Sequence, residues 1–173
     1  MKDFLALCVT RFTAFEHELN MLDAATGDGD HGTTMLKGLL AAAAADGGFD
    51  KAFRKAAGGA SGSLFAQVIA ALVEVVDGAP VGDALENAAK KITMLGQAKL
   101  GDKTMLDALI PAAVMQIDKD AAQAAARGRD RTRDMAAKRG RTKYVEGAGV
   151  GHIDAGATSV AELLRLFAEW RDQ

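Results

Sequence analysis

The stretch that most constrains this chain is Leu22-Asp23-Ala24-Ala25-Thr26-Gly27-Asp28-Gly29-Asp30-His31-Gly32. It sets three carboxylates, three glycines and a histidine between two apolar helical runs. Asp23 closes the first run, Asp28 and Asp30 fall in a glycine-punctuated turn, and Thr33 and Thr34 open the next helix. Three anions this close repel one another, so keeping them together is costly unless a cation lies among them. All-oxygen ligands without cysteine favour a hard ion, Mg²⁺ or Ca²⁺. An EF-hand loop is excluded, because Gly32 and Met35 fall where ligands should stand. Mg²⁺ keeps waters and shares its sites with phosphates. A helix that begins just after the acids offers free N–H groups that suit phosphate. The residues therefore read as a Mg²⁺–phosphate site. The plainer reading is an acidic loop with a capping aspartate.

The rest of the chain is helical by composition. Alanine dominates, only Pro80 and Pro111 interrupt it, and β-branched alternation is nearly absent. Phe4, Leu5, Cys8, Val9, Phe12, Phe15 and Leu19 recur at three- and four-residue steps and form an amphipathic first helix. Further helices are expected at about 33–45, 49–57, 63–76 and 81–95, the last with Leu85, Ala88, Ala89, Ile92 and Leu95 inward. A sixth starts near Asp102 and carries Met105, Leu106, Leu109, Ile110, Val114 and Ile117. Pro111 lies inside it and demands a kink or a new partner for the carbonyl it frees. A seventh is expected at 119–139, and a last one opens with a capping box, Ser159-Val160-Ala161-Glu162. About eight helices with short loops make an all-α bundle and a single domain over residues 1–173.

A formal charge of −2 gives no reason to expect nucleic-acid or membrane-surface binding. The arginines of 127–141 are interrupted by aspartates and read as a solvated face. Cys8 stands alone and reads as a buried, inert thiol. The N-terminus makes a poor signal peptide, and no apolar run approaches the roughly 20 residues of a membrane span. A cytoplasmic location is expected.

Leu22 to Gly32 resembles the signature of the nucleotide-binding L subunit (DhaL, or DAK2 domain) of dihydroxyacetone kinases. Four more stretches agree in order: Gly58-Gly59-Ala60-Ser61-Gly62, Gly101-Asp102-Lys103-Thr104-Met105, Gly140-Arg141-Thr142-Lys143-Tyr144 and Gly151-His152-Ile153-Asp154-Ala155-Gly156-Ala157-Thr158-Ser159. The resemblance implies a closed barrel of antiparallel helices with the nucleotide at the end where these loops gather. It implies that Asp23, Asp28 and Asp30 hold two Mg²⁺ ions against the phosphates of ADP or ATP. Two metals bridging phosphate oxygens would supply the positioning and charge neutralisation that phosphoryl transfer needs.

The resemblance further implies that His31, Gly32, Thr33 and Thr34 meet the phosphates, although His31 alone reads equally as a residue that packs the turn. Ala60 and Ser61 would touch the nucleotide, whereas Ser61 alone reads as a helix cap. Gly96 and Met105 would line the base pocket, Arg141 would reach the nucleotide, and Asp154, Ala155 and Gly156 would cover it. Asp102 and Lys103 read as a cap and an exposed charge, and His152 as a residue that orients its loop.

No nucleophile–base pair is present. In the family the ketone is held through a histidine on a separate DhaK-type subunit, so the chain would be half of an enzyme. A free-standing L subunit resembles systems whose bound ADP is recharged in place by a DhaM-type phosphohistidine protein of the phosphotransferase system. Two alternatives stand beside this: an ADP-binding regulator of a transcription factor, and a kinase subunit for another carbonyl substrate such as a short ketose. Ser63 and Ala155 stand where the family often has proline. Residues 145–150 lack its usual Glu-Arg pair and are more pliable for their glycines.

Overall fold

The computed structural model describes residues 1–173 except for the side chain of Arg141. Eight α-helices are present among the described residues, and no strand: α1 (Lys2–Ala24), α2 (His31–Ala44), α3 (Phe49–Ala57), α4 (Gly59–Val76), α5 (Val81–Gly96), α6 (Leu106–Ala113), α7 (Asp118–Arg131) and α8 (Ala155–Arg171). Each helix packs on the next in sequence, and α8 closes the ring onto α1. The expected closed barrel is therefore the fold. In an up-and-down ring the α1–α2, α3–α4, α5–α6 and α7–α8 connections must share one end. The topology thus gathers at one rim the motifs that the sequence spreads over 130 residues.

The core follows from the apolar spacing. Phe4, Leu5, Cys8, Phe12 and Leu19 of α1 are fully buried, as are Leu163 and much of Phe167 on α8. Phe4 meets Phe167 edge-on with centroids 5.2 Å apart, which seals α1 to α8. Outside that contact, Glu162 accepts from Arg11 and lies 2.7 Å from Arg165. Burial pushes the Cys8 thiol pKa well up, so it stays protonated. Helix α4 is long and apolar enough to cross a membrane by length and composition. Its Phe65, Val68, Ile69, Leu72 and Val75 are spent in this core.

Several boundaries differ from those the sequence predicts. Helix α2 begins at His31 rather than Thr33. Helix α4 begins at Gly59, so Ser61 lies inside its first turn and is not its cap. Helix α6 stops at Ala113, which leaves Val114 and Ile117 exposed instead of inward, and Leu95 is exposed too. Pro111 breaks no core contact. The Asp107 carbonyl, whose i+4 N–H it removes, lies directly against Gly128 of α7, where a side chain would collide with it.

Helix α7 ends at Arg131, eight residues early. A short 3₁₀ turn, Thr132–Asp134, then leads into an irregular crossing with further 3₁₀ turns at Arg141–Tyr144 and Glu146–Gly149. Helix α8 starts at Ala155, four residues before the expected box. Its cap is Asp154, whose Oδ2 accepts from the Ala157 N–H at 2.7 Å. Ser159 and Glu162 are then free for other partners: Ser159 meets His31, and Glu162 joins Arg11 and Arg165.

Candidate functional site

The gathered loops enclose a cavity of about 440 Å³ at the rim, within the range of small-molecule and cofactor sites. One wall is the acidic turn. Asp23 sits in the last turn of α1, and the chain wraps back around it. Its Oδ2 accepts from the N–H groups of Gly29 at 2.9 Å and Asp30 at 3.1 Å. Its backbone carbonyl accepts from Thr26 at 2.9 Å. Gly29 holds φ +77°, a conformation a side chain would strain. One carboxylate oxygen each from Asp23, Asp28 and Asp30 then lies within 4.8 Å of the other two. These are hard, all-oxygen donors on an open rim, and they fit a divalent cation that keeps some of its water.

His31 opens α2 beside them. It is buried, its Nε2 lies 2.8 Å from the Ser159 hydroxyl, and its ring leans on Phe65. Burial lowers its pKa to about 4, against the pull of Asp23, so the ring is neutral at pH 7. The start of α4 lines the same cavity. Gly58 and Gly59 take φ +68° and +61° there, and no side chain caps the helix. The first-turn N–H groups around Ala60 and Ser61 therefore lack side-chain partners at the cavity edge. Leu64, Phe65 and Met105 give an apolar floor, and Ala155 and Gly156 close the α8 side.

Asp154 ties the end of α7 to the start of α8. Its N–H donates to Thr132 Oγ1 at 2.9 Å while its carboxylate caps α8. Burial, with Asp107 and Asp23 nearby, raises its pKa to about 6 against the Ala157 N–H and Lys103. Lys103, expected at the surface, is 2 % exposed. Its ammonium donates to the carbonyls of Thr132, Met135, Gly149 and His152 at 2.7, 3.1, 2.6 and 2.6 Å. Burial lowers its pKa. Asp102 is buried as well and accepts from the Lys99 N–H at 3.0 Å, but it caps no helix: α6 starts only at Leu106, with Met105 before it and no side-chain cap bond. His152 contributes its carbonyl rather than its exposed ring.

Of the residues singled out in the sequence, Asp23, Asp28, Asp30, His31, Thr34, Ala60, Ser61, Met105, Asp154, Ala155 and Gly156 line the cavity. Three do not. Gly32 is packed so tightly on the Glu16 carbonyl of α1 that a Cβ would overlap it. Thr33 also faces α1: its N–H donates to Asn20 Oδ1 at 3.1 Å and its hydroxyl to Glu16 at 2.7 Å. Gly96 stands behind Leu64, which takes the place at the wall. The side chain of Arg141 lies outside the described residues. Its neighbours Arg139, Gly140 and Thr142 line the cavity, as do Thr26, Gly27 and Thr104, which sequence reasoning passed over.

A model of the DAK2 domain matches residues 25–169. The L-erythrulose kinase of Pectobacterium atrosepticum is 34% identical over 184 residues, covering 85% of this chain and 30% of that protein. The ADP-binding subunit DhaL of the PEP-dependent dihydroxyacetone kinase 1 of Listeria innocua is 32% identical, covering 87% of this chain and 85% of that protein. The chain spans about a third of the length of the erythrulose kinases that it matches. Among solved structures, the dihydroxyacetone kinase of C. freundii in complex with AMP-PNP and Mg²⁺ superposes with a TM-score of 0.72 at 25% identity. That match covers 98% of this chain and 33% of the other.

Proposed function

The chain belongs to the DAK2-domain family, and from that premise we propose that it is the ADP-binding subunit of a dihydroxyacetone kinase. One observation carries the reading. The three clustered carboxylates and the uncapped start of α4 line a single cavity, which supports cation ligands and phosphate donors around one nucleotide. Mg²⁺ held by Asp23, Asp28 and Asp30 would neutralise the charge of a nucleotide's phosphates, the main requirement of phosphoryl transfer. The first-turn N–H groups of α4 and Thr34 would bind phosphate oxygens. Met105, Leu64 and Phe65 would take the base, where a thioether suits an aromatic ring. His31, neutral and tied to Ser159 at one nitrogen, has its other nitrogen for a phosphate contact. Ala155 begins α8, the first helical position, where the proline often found in the family would be tolerated equally well.

The relatives named as ADP-binding subunits of a dihydroxyacetone kinase support assigning the ketone to a separate DhaK-type subunit. Met94 and Leu95 on the last turn of α5, with Leu100 and Tyr144 on the connections at the cavity end, leave apolar surface exposed, which supports a partner docking there. We assign the phosphoryl donor to a phosphotransferase-type phosphohistidine protein of the DhaM kind. The Listeria and Escherichia coli relatives, whose length the chain nearly spans, carry PEP-dependent names. A second reading has its own support. The erythrulose kinases match at 34–35% identity, so a four-carbon ketose is the rival substrate.

The test is direct. Purified protein, stripped of nucleotide and confirmed folded, is titrated with ADP with and without Mg²⁺ by calorimetry. It is then assayed with a DhaK-type subunit and either dihydroxyacetone or erythrulose. Mg²⁺-dependent ADP uptake and ketone phosphorylation are expected. No uptake by folded protein would end the reading.

A further inference from the structure

Lys103 is a buried cation that the chemistry above leaves unused, although it borders the cavity. We propose that Lys103 is a positioning residue that sets how long a nucleotide stays bound, by tethering residues 132–152 over the cavity.

An ammonium has three N–H donors and no acceptor. Here four carbonyls, from Thr132, Met135, Gly149 and His152, lie 2.6–3.1 Å from it. No donor is left for a phosphate, so this lysine does not act as phosphate-binding lysines do. The four carbonyls bracket the whole crossing from α7 to α8. Arg139, Gly140 and Thr142, which line the cavity, lie between them. The crossing has one further backbone bond to the α5–α6 connection, Lys138 N–H to the Asp102 carbonyl at 3.1 Å. It is built of 3₁₀ turns with Ala148, Gly149 and Gly151 at positive φ. Beside the short bonds of these turns, two backbone ties span it, Ala137 N–H to the Ala148 carbonyl at 2.8 Å and Gly151 N–H to the Arg133 carbonyl at 2.7 Å.

Four carbonyl dipoles converging on one point repel unless a positive charge sits there. Gly149 packs close to the Lys103 stem, Thr26 and Thr142, so the tether also presses the crossing onto the acidic turn. Lys103 itself holds φ +59°, an unusual conformation for lysine that the cage compensates. Its role is thus that of an ion built into the chain, fixed between the α5–α6 connection and the cover of the site.

The inference rests on the nucleotide reading above, and its test separates the two. Release of a fluorescent ADP analogue in Mg²⁺ is followed by chase in the wild type, Lys103→Met, Lys103→Arg and Lys103→Ala. Amide exchange over residues 135–152 is followed in the same proteins without nucleotide. Lys103→Met is expected to release nucleotide about tenfold faster, as the loss of charge-assisted bonds implies, and to lose protection in that segment. Lys103→Arg, which keeps the charge on a planar fork, should lie between. In Lys103→Ala, n-propylammonium should restore slow release with increasing dose, whereas n-propanol should not. That distinction separates a tethering charge from simple filling of space, and it decides the matter if Lys103→Met does not fold.

Folded Lys103→Met that releases at the wild-type rate with unchanged protection overturns the inference alone. So does an alanine variant that propanol rescues as well as propylammonium. A folded wild type that takes up no analogue overturns the functional reading and this inference together.

Discussion

His31 Nε2 lies 2.8 Å from the hydroxyl of Ser159, and both residues are buried. This bond joins the first turn of α2, beside the acids, to the second turn of α8, so the acidic turn and the α8 side of the cavity are held in register. Replacing Ser159 by alanine leaves a buried ring nitrogen without its partner, which costs about 1–3 kcal/mol. Ser159→Ala should therefore melt at a temperature lower by roughly 2–12 °C. It should also bind Mg·ADP severalfold more weakly, because the ring is no longer oriented. Thermal unfolding and calorimetry check the two effects. Unchanged affinity would mean that His31 only packs the turn.

The acidic turn gives a prediction with two arms. Asp30 precedes α2 and makes no side-chain cap bond there. Its charge favours the helix start by about 0.3–1 kcal/mol, and repulsion from Asp23 and Asp28 opposes this by a similar amount. Asp30→Asn should thus leave the stability of the metal-free protein within about 0.5 kcal/mol of wild type. On the proposed reading, in which Asp30 is a metal ligand, the same variant should lose Mg²⁺-dependent ADP binding by at least about tenfold. Urea unfolding in a chelator reads the first arm, and ADP titration reads the second.

How far the sequence could be read depends on what kind of signal each residue carries. Asp23, Asp28 and Asp30 are close in sequence, so their proximity in space was legible without a fold. Phe4, Phe12 and Leu19 betray their burial by spacing alone. Lys103 carries no such signal. Its carbonyl partners lie 29–49 residues away, and nothing local distinguishes a buried lysine from a surface one. Ser159 and Glu162 show the opposite failure. Their spacing fits a capping box, but Asp154 takes the cap first, and the box residues are used in long-range contacts. Thr33 has the composition of a phosphate ligand, yet its partners Glu16 and Asn20 stand on the preceding helix. That is a tertiary choice between two faces that the turn itself leaves open.

Gly32 is a glycine of packing rather than of backbone freedom. An added Cβ would overlap the Glu16 carbonyl and come within 2.9 Å of Asn20 Oδ1. Backbone cannot yield as a flexible side chain can, so α1 and α2 must separate. Gly32→Ala is expected to cost about 3 kcal/mol and to lower the melting temperature by roughly 6–12 °C. Gly47, on the α2–α3 connection, has open space around its Cβ position. Gly47→Ala should change stability by less than about 0.5 kcal/mol. Equal effects in the two variants would remove the close α1–α2 approach as an explanation.

Asp154 predicts a pH dependence whose sign differs from that of most carboxylates. Its pKa is raised by burial from 3.8 to about 6, so between those values the folded chain holds a proton that the unfolded chain has lost. Stability due to this group is therefore full below about pH 4, falls as pH rises, and is gone above about pH 6. His31 works in the other direction. Its pKa falls from 6.5 to about 4, so the unfolded chain takes up the proton first and stability from this group rises with pH across that interval. The two partly cancel in the wild type, and the difference between proteins isolates one of them. Asp154→Asn keeps an oxygen for the Ala157 N–H and removes the titration. Relative to wild type in chelator, it should gain stability progressively from pH 4 to pH 6, by at most about 3 kcal/mol. Urea unfolding at intervals across that range measures the difference. A constant offset at every pH would show that Asp154 is ionised throughout and that its burial costs nothing.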